Sequence, residues 1–298
     1  MRLNWKILLI LPLSFAILFG GCEEETPEIH FEEEQGDDGD PGEDPEPIEE
    51  QERRVLLDYF TGVRCPNCPG AMETAERLRS NNDERVIIAS YHYSQNFAYP
   101  HEESQYDFRL DENSDLIDYL GTASGLPVGT VNRAEAPSGD RLTGTGQWSS
   151  VVDQELEEPP KAALELNPEF DDPQASLDVE VHYLESIEDA HNITVMVAEN
   201  GIEDWQLNTN EWQEDYVHNH VIQHFLTSFR GEGVGENVEE DNVKQRSFSF
   251  ELGDEKIDSD EYDSGITDPD NAHWIVALHY DNAEKRNIIQ TLQAPLKE

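Results

Sequence analysis

Arg64-Cys65-Pro66-Asn67-Cys68-Pro69 holds two of the three cysteines in a chain of 298 residues, two positions apart. A strand-like run, Val55-Leu56-Leu57-Asp58-Tyr59-Phe60, leads into it through Thr61-Gly62-Val63. Residues Ala71-Met72-Glu73-Thr74-Ala75-Glu76-Arg77-Leu78 follow at helical spacing. The order is strand, turn, CxxC, helix, with the first cysteine at a helix start. Unpaired backbone N–H groups and the helix dipole favour a thiolate over a thiol there. Pro66 and Pro69 both fit a first helical turn, where a missing N–H costs little. A pair so placed can attack and exchange disulfides.

Outward from this stretch, strand and helix alternate. Arg85-Val86-Ile87-Ile88-Ala89-Ser90-Tyr91 is a second continuous apolar run, as expected for a buried parallel pair. A polar, aromatic insertion with Phe97, Tyr99, Pro100 and Tyr106 follows. Ser114 to Leu120 reads as a helix stopped by Gly121, and Gly125 to Asn132 as a strand entered through Pro127. Trp148, Val151, Val152 and Leu156 mark a last helix, ended by Pro159-Pro160.

From Lys161 alternating runs take over: 163–166, 176–183, 192–198, 216–229, 247–252, 273–280 and 288–292. Seven short strands suggest an all-β, immunoglobulin-like sandwich. Two domains result, residues 53–160 of α/β type and residues 161–298 of β type.

Ahead of them, residues 1–22 read as a leader, with Arg2 and Lys6 before an apolar run too short to span a membrane. Its end, Leu18-Phe19-Gly20-Gly21-Cys22, looks like a bacterial lipobox with Phe19 in place of the usual leucine. Cys22 is then the acylated residue that ties the chain to a membrane. Residues 23–52, rich in Glu, Asp, Pro and Gly, read as a disordered acidic tether.

Acidic residues number 66 and basic ones 19, a formal charge of -47. That balance excludes nucleic acid, whose binding runs on lysine and arginine neutralising phosphate. Acid runs such as Glu155-Glu157-Glu158 and Glu239-Glu240-Asp241 continue far beyond the tether, which points to work in high salt, where self-repulsion is screened. No glycine-rich phosphate loop or Gly-x-Ser-x-Gly elbow is present. Gly231-Glu232-Gly233-Val234-Gly235 reads as a turn, so nucleotide chemistry is not indicated.

Strand, CxxC, helix, strand, helix and a proline-led strand resemble the thioredoxin fold. There the proline matching Pro127 is cis and packs beside the cysteines. The lipobox, the tether, Phe60-Thr61-Gly62 ahead of the cysteines and Tyr216-Val217-His218-Asn219-His220-Val221 downstream resemble the outer membrane protein 28-related lipoproteins. That resemblance implies a thioredoxin-like domain followed by a β-rich one, at the outer membrane.

On this reading Cys65 is the nucleophile and Cys68 resolves the mixed disulfide. Arg64 adds a favourable cation, and Pro127 presents backbone to a bound peptide. Asp58 resembles the buried carboxylate that relays protons in thioredoxins, shifted by one residue; a plain hydrogen-bonded acid at a strand end has equal claim. The motif lacks the tryptophan that usually precedes the first cysteine, and Pro66-Asn67 stands where thioredoxins carry Gly-Pro, so redox direction stays open.

The pair has two other readings, an inert local disulfide or a zinc site completed by His92 or His101. His218, His220 and His224 share one side of any strand they occupy and would make a metal-binding stripe, which His182 and His279 could join. Strand histidines are ordinarily hydrogen-bonded or surface residues, and no metal is assigned. Trp205 and Trp212 either line a groove or cover the core. The expected activity is thiol-disulfide exchange with envelope or surface proteins, with no cofactor beyond the Cys65–Cys68 disulfide. The competing expectation is a binding or adhesion lipoprotein that uses the fold as a scaffold.

Overall fold

All seven residues of Val55–Thr61 (β1) and all seven of Val86–His92 (β2) are buried. The two strands pair in parallel, Val55 against Val86 through Thr61 against His92. A computed structural model supplies the coordinates and describes residues 48, 50–93, 96–123, 125–253, 261–282 and 285–297. The expected leader, Cys22 as the expected lipid-anchor residue and nearly all of the expected tether lie outside the described residues.

Between β1 and β2 runs the helix Cys68–Asn81 (α1), followed after β2 by Asp111–Leu120 (α2). The strand Val128–Val131 (β3) then pairs antiparallel with the other side of β1, and Thr145–Glu157 forms the helix α3. Helix α1 opens at Cys68, three residues before the apolar spacing begins, because Cys65 lies in a turn that closes by Cys68 N–H donating to Cys65 O at 3.2 Å. The second cysteine, and not the first, therefore occupies the helix start.

The further elements among the described residues are strands: Ala162–Asp171 (β4), Gln174–Tyr183 (β5), His191–Glu199 (β6), Ile202–Asn208 (β7), Glu211–His218 (β8) and Val221–Phe225 (β9). Glu232–Gly235 (β10), Val243–Glu251 (β11), Ala272–Tyr280 (β12) and Ile288–Pro295 (β13) complete it. The glycine-rich segment expected as a turn is thus a short strand against β6. It lies so close that a Cβ on Gly231, which has φ +74°, would stand 2.6 Å from Ile193 O.

Three sheets result among the described residues. One is mixed and runs β13-β12-β6-β9-β2-β1-β3, with β10 added at β6; the others are the antiparallel β11-β5-β4 and the hairpin β7-β8. The face-to-face packing of a sandwich is present. Ala175, Leu177, Val179 and Val181 of β5 meet Ile193, Val195, Trp274 and Val276 of β6 and β12 in one cluster. The larger sheet is not confined to the second half, however, since it continues through β9 into β2, β1 and β3 across residue 160.

That large sheet also curls. Its far ends meet where Arg53 Nη2 donates to Ile288 O at 3.0 Å, Arg54 N–H to Gln290 Oε1 at 3.1 Å and Ile288 N–H to Asn132 O at 3.0 Å. Inside the curl Leu56, Phe60, Ile87 and Tyr91 pack with Met196, Ile222 and Ile275, and Leu116, Ile117 and Leu120 of α2 join them. Each such aliphatic side chain contributes roughly 1.5–3 kcal/mol of burial. The opposite face of β1 and β2 carries Val55, Leu57, Tyr59, Val86 and Ile88 against both cysteines, α1 and α3. None of the helices among the described residues is long and apolar enough to cross a membrane.

Candidate functional site

Strand alternation sorts the residues around the cysteines. Tyr59 faces α1 and donates its hydroxyl to Cys68 O at 2.8 Å. Asp58, its neighbour, faces the inside of the curl. There its carboxylate accepts from Tyr91 Oη at 2.8 Å and from Arg133 Nε at 3.3 Å, with the Asp58 and Arg133 side chains fully buried. Burial pushes the Asp58 carboxyl above its usual range, against the pull of Arg133 and Tyr91. The structure does not bring Asp58 to the sulfur atoms.

Cys65 and Cys68 are joined in a disulfide with Cα atoms 5.4 Å apart. The Leu126–Pro127 bond is cis, and Leu126 packs on the cluster that contains both cysteines. Arg64 turns away from the sulfurs. Its Nε and Nη2 donate to Tyr99 O at 2.7 Å and Pro100 O at 2.5 Å, and its guanidinium lies 5.7 Å from the ring centroid of Trp212.

The 97–100 segment is seated on this turn, with Arg64 N–H donating to Phe97 O at 2.7 Å. It approaches so closely that a Cβ at Gly62 would stand 2.4 Å from that same carbonyl. Glycine is required there by space, not by backbone angle.

A second layer closes over the pair. The β7–β8 hairpin hydrogen-bonds the CxxC turn through Leu207 N–H to Val63 O at 2.7 Å and Thr209 N–H to Pro66 O at 2.8 Å. Gln206 Nε2 adds Cys65 O at 3.2 Å and Gly62 O at 3.4 Å. Under it Cys65 is 1% exposed and Cys68 2%. Trp205 and Trp212 of the hairpin hold the His101 ring between them, at 4.5 and 4.4 Å between centroids. The tryptophans therefore fasten the hairpin to the insertion, and His101 is committed to them.

The three spaced histidines separate. Asn219 and His220 form a turn between β8 and β9, with His220 at φ +57°, so the expected single strand from 216 to 229 is broken. His218 faces the cysteine side, 5.6 Å from His92 between ring centroids. His220 Nε2 meets Glu76 Oε1 of α1 at 2.9 Å, and the His224 ring packs on Phe250. The metal-binding stripe is thus corrected: the turn sends its members to three places. His279 is also elsewhere, bonded by Nε2 to Thr194 Oγ1 at 2.8 Å. His182 lies with Glu165 and Glu180 on β4 and β5, where one ligand atom of each falls within 4.8 Å of the others. Those three could hold a cation.

Sequence reasoning linked His92 to the cysteines only as a zinc ligand and missed its pairing with His218. Tyr59, Cys68, Ser90, His92, Tyr216 and His218 enclose a cavity of about 20 Å³, room for about one water. Burial holds His218 down to about 4 and His92 well below its ordinary value, so both rings are neutral. The parity of Ser90 and His92 with Ile88 on β2 was the available signal.

Over residues 113–298 the chain matches the family model described as outer membrane protein Omp28. The family match indicates no cofactor. Among solved structures, HBP35 of Porphyromonas gingivalis is similar at 17% identity and TM-score 0.64, covering 82% of this chain and 76% of that one. A protein from Agrobacterium tumefaciens aligns at 12% identity and TM-score 0.49 over 84% of this chain and 97% of its own. No curated protein matches in sequence.

Proposed function

Because the chain belongs to the Omp28 family of outer membrane proteins, we propose that it is a lipid-anchored envelope protein that exchanges disulfides with other envelope or surface proteins through Cys65 and Cys68. Anchoring is assigned to Cys22, and the acidic tether holds the folded part off the membrane. One observation carries the reading: the Cys65–Cys68 disulfide at the opening of α1, with Leu126, next to Pro127, packed on the cluster that holds both cysteines. Together with the parallel β1–β2 pair and antiparallel β3, this supports a thioredoxin-like arrangement for residues 53–160.

In the reduced protein Cys65 thiolate attacks one sulfur of a target disulfide, and a mixed disulfide forms as the first target thiolate leaves. Cys68, as thiolate, then attacks Cys65 Sγ, restoring the Cys65–Cys68 bond and releasing the second target thiolate. The target gains two electrons and, after protonation, two thiols. The protein loses those electrons and regains them from a dithiol donor.

The reduction potential of the pair tests this, measured on the full chain in high salt by equilibration with glutathione buffers. A value between about -120 and -270 mV fits a working exchanger, whereas one below about -300 mV fits a structural disulfide. Cys68→Ser should also accumulate mixed disulfides in cells, and an empty trap counts against exchange.

A second reading has its own observation. Both sulfurs lie under the β7–β8 hairpin, at 1% and 2% exposure, as suits an inert disulfide in a binding lipoprotein whose β-rich half recognises partners. On that reading Cys65→Ser leaves binding intact while changes on the sheet surface abolish it.

A further inference from the structure

A resolving thiol buried at 2% exposure needs somewhere to send its proton before it can attack. Asp58 cannot take it, since its carboxylate lies on the other face of β1, bound by Tyr91 and Arg133. We infer that His92 and His218 form the proton-accepting pair for the Cys68 thiol, acting across the cavity they share with it; this rests on the disulfide-exchange reading above.

Three observations carry the assignment. First, the two imidazoles and Cys68 line one small polar cavity with room for about one water. Second, among the described residues His92 Nδ1 and Nε2, His218 Nε2 and Ser90 Oγ are buried without a hydrogen-bond partner. Buried polar atoms are rarely left so, and four on three residues that line one cavity point to an exchangeable proton and a bridging water. Third, the backbone of Trp205 and Asp204 beside His218 favours its protonated ring against the burial that opposes it, and its Nε2 has no other partner to give up.

The remaining groups packed around the pair do not compete. Burial pushes the Tyr59 and Tyr216 hydroxyls above their ordinary values, with Glu73 of α1 adding to the effect on Tyr216. They stay neutral at working pH. Beside Phe108, which touches both rings, Asp107 and Arg109 pair with each other at 2.6 Å. The Asp204 carboxylate is occupied by the N–H groups of Gln105, Tyr106 and Trp205.

The step then balances. The Cys68 S–H bond breaks, its proton passes through the cavity water to an imidazole nitrogen, and the thiolate attacks Cys65 Sγ in the mixed disulfide. The departing target thiolate finally takes up a proton, returning the imidazole to neutrality. A thiolate beside an imidazolium in a water-poor site stabilises both charges, so the ring is a better base once the disulfide opens than its oxidised-state environment suggests.

The test uses the full chain with Cys22→Ser and Cys65→Ser, so that Cys68 is the one thiol. Its ionisation is followed by thiolate absorbance, with and without His92→Gln or His218→Gln. Loss of either ring should raise the Cys68 midpoint by at least about one pH unit. In chains that keep Cys65, single-turnover resolution of a glutathione mixed disulfide should slow by about tenfold or more near neutral pH and recover in alkali. Identical titrations in all three proteins would overturn the assignment. Should a variant fail to fold, the histidine ring resonances of the reduced, otherwise unaltered chain decide. Rings that shift in step with the Cys68 titration support the pair, and rings that ignore it refute the pair. A pair whose potential is that of a structural disulfide overturns the exchange reading, while the thiol titration still judges the histidine pair by itself.

Discussion

Asp58 Oδ2 and Arg133 Nε lie 3.3 Å apart with both side chains fully excluded from solvent, on the face of β1 that looks away from the cysteines. Tyr91 completes the carboxylate's bonds at 2.8 Å. Asp58→Asn leaves a buried guanidinium without its counter-charge and should cost about 3–5 kcal/mol of stability, read by denaturant unfolding in high salt. The same variant should keep the reduction potential of the cysteine pair. A shifted potential with unchanged stability would return Asp58 to the redox chemistry.

Access to the sulfurs depends on the β7–β8 hairpin. Gln206→Ala removes the side-chain bonds to Cys65 O and Gly62 O, each worth about 1 kcal/mol. Reduction of the disulfide by dithiothreitol should then speed up by roughly fivefold or more, with faster amide exchange across residues 202–218. An unchanged rate would mean that the sulfurs are reached by another route.

Gly62→Ala drives a methyl group into Phe97 O, at 2.4 Å before relaxation. The expected cost is about 1–3 kcal/mol, with the 97–100 segment lifted from the CxxC turn and its bond to Arg64 N–H lost. Thermal unfolding and limited proteolysis near Phe97 would detect both effects. A variant as stable and as protease-resistant as its parent would show that the turn can yield.

Acid should unfold the protein well before its carboxylates are protonated. Burial holds His218 and His273 down to about 4 and His279 to about 3, from 6.5, and His92 lies well below that ordinary value. The native state binds fewer protons than the unfolded one in this window. The stability these rings confer is therefore complete above about pH 6.5 and is lost as pH falls toward 4, at about 1.4 kcal/mol per pH unit for each ring. Asp58 and Glu199, whose carboxyls burial pushes up, oppose this at lower pH. Urea unfolding at steps of pH should show the loss, and His273→Gln should flatten the slope by about one proton.

The parts of the fold legible in the sequence were those that bury themselves locally. Val55 to Phe60 and Val86 to Tyr91 read as buried strands because every residue in them is apolar or faces a packed interior. The hairpin Ile202–Asn208 and Glu211–His218 was not legible. Five of the eight residues of its second strand are exposed, and what holds the hairpin is its bonding to the CxxC turn, a contact across more than a hundred residues. The Asn219-His220 turn carried a signal, since asparagine favours such turns, but the apolar residues on either side hid it. Strand parity could have turned Asp58 away from the cysteines and His92 toward them.

The meeting of Arg53 and Arg54 with Ile288 and Gln290 closes a loop of some 230 residues between the two ends of one sheet. During synthesis and export, Leu56, Phe60, Ile87 and Tyr91 have no complete interior to enter until the strand at 288–295 has arrived. Folding is thus deferred to the end of delivery, and the segment from 53 to 160 released by itself would be a substrate for chaperones and proteases.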